Sequence, residues 1–248
     1  LRNHDFETSA YFYSWDGNAK SVVCGANWYE LPVMSFYDEK SLGGLADIKA
    51  IESDAKIAIS IPPGATPNMS QKFENIILKL AADNMIDAVI SGNPGIKFTA
   101  EKSGLKAFTD ISSNIFNSQT AAYFTKNGFK TIVPSSELSN ESVTGLIRNT
   151  TAGMDLFFEI PVYGRLRLMY SEHCPVGCNR GGCKMCHEKE TAFSLKDRRK
   201  VNFPVVCHPE ECTVDILNSN LLCAPDELSQ ISKICNMRAR FIFFNENQ

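Results

Sequence analysis

The sequence predicts an α/β fold: a (β/α)8-type, TIM-like barrel with a cysteine-rich metal-binding insertion between its last strands. Three observations predict it. Short apolar runs recur at intervals of about 20 to 30 residues, helical patterns separate them, and seven of nine cysteines fall within fifty residues. A chain of 248 residues also matches the length at which such barrels close as one unit, typically about 250 residues.

The predicted strands are Tyr11 to Trp15, Trp28 to Met34, Ile57 to Ile61, Ala88 to Ser91, Phe108 to Ile111, Thr131 to Val133 and Phe157 to Val162. Several are continuous apolar runs, the pattern of strands covered on both faces. The clearest helix runs from Ser70 to Ala82, where Phe73, Ile76, Ile77 and Leu80 share one face and Ser70 offers an N-cap. Thr120 to Lys126 and Asn140 to Arg148 read as further helices, and Arg240 to Phe244 as the last strand. The expected organisation is a barrel body over residues 1–165, a cysteine-rich region over 166–225, and a closing helix and strand over 226–248.

The composition, 44% hydrophobic and 21% charged, is that of an ordinary globular domain. A net charge of −3 supplies no global field for nucleic acid or an anionic membrane. No apolar run reaches membrane-spanning length and no signal-peptide pattern opens the chain, so the expectation is a soluble, cytoplasmic protein without membrane contact. The start at Leu1 suggests a piece of a longer polypeptide, whose N-terminal part would then be a partner.

The cysteines carry the chemistry. Cys174, Cys178, Cys183, Cys186, Cys207, Cys212 and Cys223 cluster in a segment rich in glycine and proline, whereas Cys24 and Cys235 stand alone and read as small buried hydrophobes. Clustering in a chain with a normal core points to metal in a reducing compartment rather than to disulfides. Cys183-Lys-Met-Cys186 is a CxxC pair that lets two thiolates of one turn reach one centre. The preferred ligand set is Cys174, Cys183, Cys186 and Cys212, with Cys178, Cys207 and Cys223 in reserve. Thiolates suit a [4Fe-4S] cluster and zinc alike, and His173, His187 and His208 leave a mixed Cys/His zinc site open.

The segment Glu159-Ile-Pro-Val-Tyr-Gly164-Arg-Leu166-Arg-Leu-Met-Tyr-Ser-Glu-His-Cys174-Pro-Val176-Gly resembles the signature of the collagenase-like peptidase family U-thirty-two. Glu159, Gly164, Leu166, Cys174 and Val176 fit; Pro161, Arg165, Arg167, Glu172 and Gly177 depart from it. Arg167 stands where the signature has its first cysteine, so a cluster must recruit another ligand, for which Cys212 is the candidate. Trp28-Tyr-Glu-Leu-Pro, Asn114-Ile-Phe-Asn117-Ser and Pro134-Ser-Ser-Glu137-Leu-Ser139 also look like family segments, so the resemblance covers most of the chain. It implies a barrel with cysteines at its C-terminal rim. Some members are described as collagen-degrading peptidases; others bind a [4Fe-4S] cluster and hydroxylate RNA bases or quinone precursors without O2, with prephenate associated in the RNA branch.

In a parallel barrel the chemistry sits where strands end, which places Glu30, Asn114, Asn117, Glu137, Tyr163 and Arg165 toward one mouth. Glu137, Arg165 and Asn114 are the candidate catalytic residues. Lys196, Arg198, Arg199 and Lys200 form a basic run with the chemistry for phosphate or carboxylate contact, read here as a solvated hairpin. Three functions follow as expectations: an enzyme module supporting O2-independent hydroxylation of RNA or a small aromatic substrate, a zinc-stapled accessory domain, or a peptidase. The last lacks a zincin motif, a G-x-S-x-G elbow and an obvious Cys/His dyad.

Overall fold

The computed structural model describes residues 4–150, 156–178 and 193–244. Among them, eight parallel strands close a barrel in the order β7-β13-β1-β2-β3-β4-β5-β6, with β6 returning to β7. These are β1 (Phe6–Phe12), β2 (Trp28–Pro32), β3 (Lys56–Ser60), β4 (Ala88–Ser91), β5 (Lys106–Thr109), β6 (Phe129–Ile132), β7 (Phe157–Gly164) and β13 (Asn236–Phe243). Helices α1 (Glu39–Ile51), α2 (Pro67–Ala82), α3 (Ile96–Ser103), α4 (Ser118–Lys126), α5 (Asn140–Thr150) and α7 (Pro225–Ile231) cover the outside.

Each strand alternates between two environments. Tyr29 and Leu31 of β2, Ile57 and Ile59 of β3 and Phe158 of β7 face the helices and pack on Leu45, Phe73, Ile77 and Ile147 in one continuous core. The opposite faces line the barrel interior, where Trp28, Ala58, Ala88, Ile90 and Phe108 form a small apolar floor. Above that floor the interior is polar, with Ser9, Glu30, Thr131, Glu159, Arg238 and Arg240 all nearly inaccessible to solvent. Barrel interiors are more usually filled with layers of branched aliphatic residues.

The polar interior explains where the sequence reading slipped. The first strand is Phe6–Phe12 rather than Tyr11 to Trp15, because its inward positions are Glu7 and Ser9 and break the apolar run. The last strand begins at Asn236 rather than Arg240 for the same reason, since Arg238 points inward. Helix α2 starts at Pro67, not Ser70: the Thr66 hydroxyl oxygen accepts from the Met69 N–H, and Pro67 occupies a position whose N–H has no helical partner anyway. The predicted face holds, with Phe73, Ile77 and Leu80 buried and Ile76 packed at its margin.

Between β7 and β13 the chain builds a second, antiparallel sheet of β8 (Arg167–Ser171), β11 (Thr213–Leu217), β10 (Asn202–His208) and β9 (Phe193–Lys196), in that order. A short strand β12 (Leu222–Cys223) then pairs with β7, and a helical turn, α6 (Pro175–Cys178), follows β8. This sheet seats on the barrel through Val206 and Leu217 against Tyr11, Tyr13 and Ile242. A second anchor is Glu211, whose carboxylate accepts from the Tyr37 hydroxyl and from Lys72 Nζ at 3.1 Å. No helix among the described residues is long and apolar enough to cross a membrane.

The turn from barrel to insert depends on one glycine. Gly164 ends β7 at φ +118°, and a Cβ there would collide with the Ile242 carbonyl oxygen of the neighbouring strand. Gly164→Ala is expected to cost roughly 2–5 kcal/mol from backbone strain and overpacking. Urea unfolding followed by circular dichroism measures it, and a loss below 1 kcal/mol, about the cost of an unstrained surface change, would show that the corner relaxes.

Candidate functional site

The site grows from a line of alternating charges inside the barrel. At its base the Glu7 carboxylate accepts from Arg238 Nη2 at 2.8 Å, and Arg238 Nη1 donates to Glu159 Oε2 at 3.1 Å. Glu159 Oε1 also accepts from Arg240 Nε, and Arg240 Nη1 lies 3.3 Å from Asp110 Oδ1. Asp110 Oδ2 accepts from Arg167 Nη2 at 3.0 Å. Arg167 then crosses into the inserted sheet, where its Nη1 sits 3.4 Å from Asp215 Oδ1, and Asp215 Oδ2 meets His208 Nε2 at 2.9 Å. Eight side chains from β1, β7, β13, the end of β5, β8, β10 and β11 thus connect the barrel floor to the insert.

Aromatic rings stiffen this line. The Arg238 guanidinium carbon lies 4.4 Å from the Trp28 ring centroid and 4.9 Å from that of Phe108, while that of Arg240 lies 5.2 Å from Tyr11. Stacking of this kind adds attraction where water is excluded.

Glu30 is the exception to alternation. It is fully buried beside Arg240, with Nη2 2.9 Å from Oε2, yet neither carboxyl oxygen of Glu30 makes an aligned hydrogen bond among the described residues. Burial, reinforced by the adjacent Glu159 carboxylate and opposed by Arg240, holds its pKa well above the usual carboxylate range. Burial would raise Glu159 and Asp110 too, but there the guanidiniums prevail: Arg240 and Arg238 lower Glu159, and Arg167 and Arg240 lower Asp110.

Above this line, at the C-terminal ends of the barrel strands, lies a cavity of about 300 Å³. Tyr11, Tyr13 and Tyr170 supply rings; Asp110, Arg167, Ser112, Asn114, Ser135 and Glu137 supply polar groups. The Ser112 hydroxyl donates to Asp110 Oδ2 at 2.8 Å, and Ser135 Oγ donates to Asn114 Oδ1 at 3.3 Å. Burial pushes the Tyr11 phenol up to about 12, so that ring is a hydrogen-bonding group and not an anion.

The predicted residues divide. Glu137 and Asn114 reach the cavity, Asn114 from a left-handed backbone at φ +55° that ends a helical turn after β5. Arg165 instead donates through Nη1 to the carbonyls of Asn218 and Ser219 at 3.1 and 2.5 Å, which ties the β7–β8 corner to the loop after β11. Asn117 caps α4 by accepting from the Thr120 N–H at 2.9 Å. Tyr163 is half-exposed opposite Cys223, and Glu30 sits below the cavity in the barrel core.

The cysteines divide as well. Cys183 and Cys186 lie outside the described residues. The β8–β11 ladder pairs Ser171 with Val214, which sets Cys174, three residues beyond Ser171, and Cys212, two before Val214, at the same end of adjacent strands. Cys207 lies across β11 from that row, paired with Val214. No three His, Cys, Asp or Glu side chains converge on a metal position among the described residues. Cys235 is buried, with burial pushing its thiol up to about 12, whereas Cys24, expected to be buried, is exposed in the loop before β2, where its N–H donates to the Tyr29 hydroxyl.

Asp110, Arg167, Arg240 and Tyr11 had no place in the predicted site. In the sequence Arg167 stands out only as a missing signature cysteine; Asp110 and Arg240 are 130 positions apart and carry no local motif.

Two stability predictions follow from this geometry. Between the ordinary carboxylate range and its raised native value, Glu30 keeps a proton that the unfolded chain has lost. Its contribution therefore falls as pH rises, by about 1.4 kcal/mol per unit. Glu159 and Asp110 have the opposite sign, stabilising above the ordinary range and losing that contribution as pH falls through their lowered values. Glu30→Gln should thus flatten the decline of stability as pH rises above the ordinary carboxylate range in urea titrations; parallel curves for variant and wild type would mean that the native Glu30 carboxyl is not shifted upward. Arg167→Met should cost about 3–5 kcal/mol at pH 7 by stranding Asp110 and Asp215. Guanidinium unfolding checks it, and a change under 1 kcal/mol, the scale of an exposed pair, would show that water takes over the role of Arg167.

Comparison with known proteins places this geometry. The family model described as Peptidase family U32 matches residues 9–237. Among solved structures, the chain is similar to the U32 peptidase Mk0906, with 12% identity, a TM-score of 0.54, and coverage of 100% of this chain and 97% of that one. It is also similar to the GH18 chitinase ChiB from Flavobacterium johnsoniae, at 12% identity and TM-score 0.46 over 98% and 89% of the two chains. A class V chitinase mutant from Cycas revoluta gives 12% and 0.44 over 95% and 94%. Identities this low speak to the fold alone. No curated protein matches the sequence.

Proposed function

Given that the chain belongs to peptidase family U32, whose model spans residues 9–237, we propose that it is an enzyme module whose substrate enters the cavity at the barrel mouth. The reading is O2-independent hydroxylation of an RNA base or a small aromatic molecule, supported by a thiolate-bound cluster. One observation carries it: the cavity of about 300 Å³ combines three tyrosine rings with fixed donors and acceptors, dimensions and chemistry that suit one flat polar ring. It also lies at the C-terminal ends of the strands, where barrel enzymes assemble their sites.

Two of the four proposed cluster ligands, Cys174 and Cys212, are among the described residues, and thiolates have the chemistry to hold a cluster. Cys174 and Cys212 reach the same end of the inserted sheet, Cys174 four residues beyond the cavity residue Tyr170, and CxxC thiolates complete the proposed set of Cys174, Cys183, Cys186 and Cys212. A [4Fe-4S] cluster held there would supply one-electron redox chemistry next to the cavity. The chain's own contribution is positioning: Glu137 and the Asn114 amide offer hydrogen bonds to a ring edge, and the Asp110–Arg167 pair fixes the floor. Of the alternatives, a zinc-stapled accessory domain draws support from Arg167, an ion-paired guanidinium at the first signature cysteine position. For peptidase chemistry, Ser112 is engaged by Asp110, and His208 spends Nε2 on Asp215 rather than on a nucleophile.

Purification without oxygen, followed by iron, zinc and sulfide determination, separates the first two readings: about four iron and four sulfide per chain supports the cluster, whereas one zinc without sulfide supports the staple. Nucleoside mass spectrometry of RNA from producing cells, with wild type and with Glu137→Ala, tests the substrate. A hydroxylated nucleoside that is lost with Glu137→Ala is the expected result, and profiles identical to cells lacking the protein would remove RNA from the proposal.

A further inference from the structure

The hairpin joining β9 to β10 carries a charge that the fold does not consume. Its tip, Lys196 to Lys200, holds four cations and one acid, and the acid is used internally: Asp197 Oδ1 accepts from the N–H groups of Arg199 at 2.8 Å and Val201 at 2.9 Å. The backbone closes the same turn, Lys200 N–H to Asp197 O at 3.0 Å, with Lys200 in a left-handed conformation at φ +66°. A non-glycine residue held there marks a turn of defined shape. Lys196, Arg198, Arg199 and Lys200 are all exposed and form no ion pair among the described residues. The tip therefore presents +3 on a chain whose net charge is −3.

The strand register fixes where this arm points. Asn202 pairs with Lys196, Val205 with Ile216, and Leu217 with Arg167, so the tip leaves the sheet from the same end as Arg167, which lines the cavity. Three strand spacings, about 14 Å, separate β9 from β8 across the sheet. That is a span of a few nucleotides.

We propose that the β9–β10 hairpin is a docking arm for the phosphate backbone of single-stranded RNA. The choice of RNA rests on the function proposed above; the arm's affinity for a phosphate chain does not. Its charge is local, exposed and unneutralised, the pattern that binds backbone by counterion release. Arginine adds bidentate contact with phosphate oxygens. An anionic membrane is the poorer partner, because Val201 is the only apolar side chain between Lys196 and Val201 and interfacial binding needs a buried apolar face.

Fluorescence anisotropy with a labelled 20-nucleotide single-stranded RNA, titrated across salt, tests the arm. Arg198→Ala/Arg199→Ala/Lys200→Ala should weaken binding at least tenfold at low salt and reduce the log–log salt slope by about 2, the contribution of three charges to a single strand. Arg198→Lys/Arg199→Lys should retain most of the affinity, and circular dichroism should report an unchanged fold for both variants. Wild-type RNA affinity in the triple variant overturns the proposal, as does absence of salt-dependent RNA binding by the wild type. Binding of the wild type to vesicles of 30% phosphatidylserine but not to RNA overturns it in favour of a membrane surface. RNA binding that depends on the arm, with no modified nucleoside found, leaves the arm standing and removes the catalytic reading alone.

Discussion

The line of charge from Glu7 through Arg238, Glu159, Arg240, Asp110 and Arg167 to Asp215 and His208 is the constraint on which the rest of this molecule depends. Removing such groups from water costs several kcal/mol each, so every member requires its neighbours in place. The partners come from opposite ends of the chain: Arg238 meets a residue 231 positions away, Arg240 one 130 away. Closure of the barrel and formation of the charge line are consequently one event. A one-residue slip of β13 against β7 would turn Arg238 and Arg240 toward the helices and leave Glu159 alone in the interior. An aliphatic interior would hold the strands as tightly, but would specify their register less sharply. The upward shift of the Glu30 carboxyl fits the same logic, because a further anion would stand beside Glu159 in a space without water.

Arg167 carries that order out of the barrel. The inserted sheet touches the barrel through a modest apolar patch and through Glu211, but among the described residues only Arg167 joins the interior charge line to the insert, by bridging Asp110 and Asp215. In the signature that the chain resembles, this position is a cysteine. Exchanging a thiol for a guanidinium changes more than a ligand count. It replaces a thiol that, as the resemblance implies, would grip an inorganic centre with a guanidinium that ties the insert to the barrel floor, and the cavity lies beside that link, lined by Arg167, Leu168, Met169 and Tyr170 of β8.

Much of the barrel was legible because strands buried on both faces, such as Ala88–Ser91, read as unbroken apolar runs, and α2 shows a clear amphipathic period. What stayed hidden was hidden for identifiable reasons. Strands β1 and β13 point charged side chains inward and so look like surface strands. Helices α1 and α3 carry few large apolar residues, with Gly44 and Ala100 at contact positions, so their periodicity is faint. The antiparallel insert gives a weak signal, because Asn202–His208 shows no regular alternation of apolar and polar residues and carries a proline. At the site, Glu137 and Asn114 were readable because they follow strands directly. Arg165 occupies an equally plausible position and turns to backbone carbonyls, a choice set by the path of residues 218 and 219, fifty positions downstream.

The electrostatics also divide the labour of recognition. Within the cavity each guanidinium has a carboxylate beside it, so the proposed ring would meet directional hydrogen bonds and little net field. Such a site discriminates by shape and by the pattern of donors and acceptors, since an unmatched polar group there goes unpaired. It has little power to draw a charged polymer from solution. In the docking proposed above, that power would sit on the hairpin tip, where four cations are exposed and their field is screened over about 10 Å at ordinary salt. Placing the long-range attraction outside and the neutral, specific contacts inside keeps surplus charge out of the buried network, which tolerates no unpaired ion.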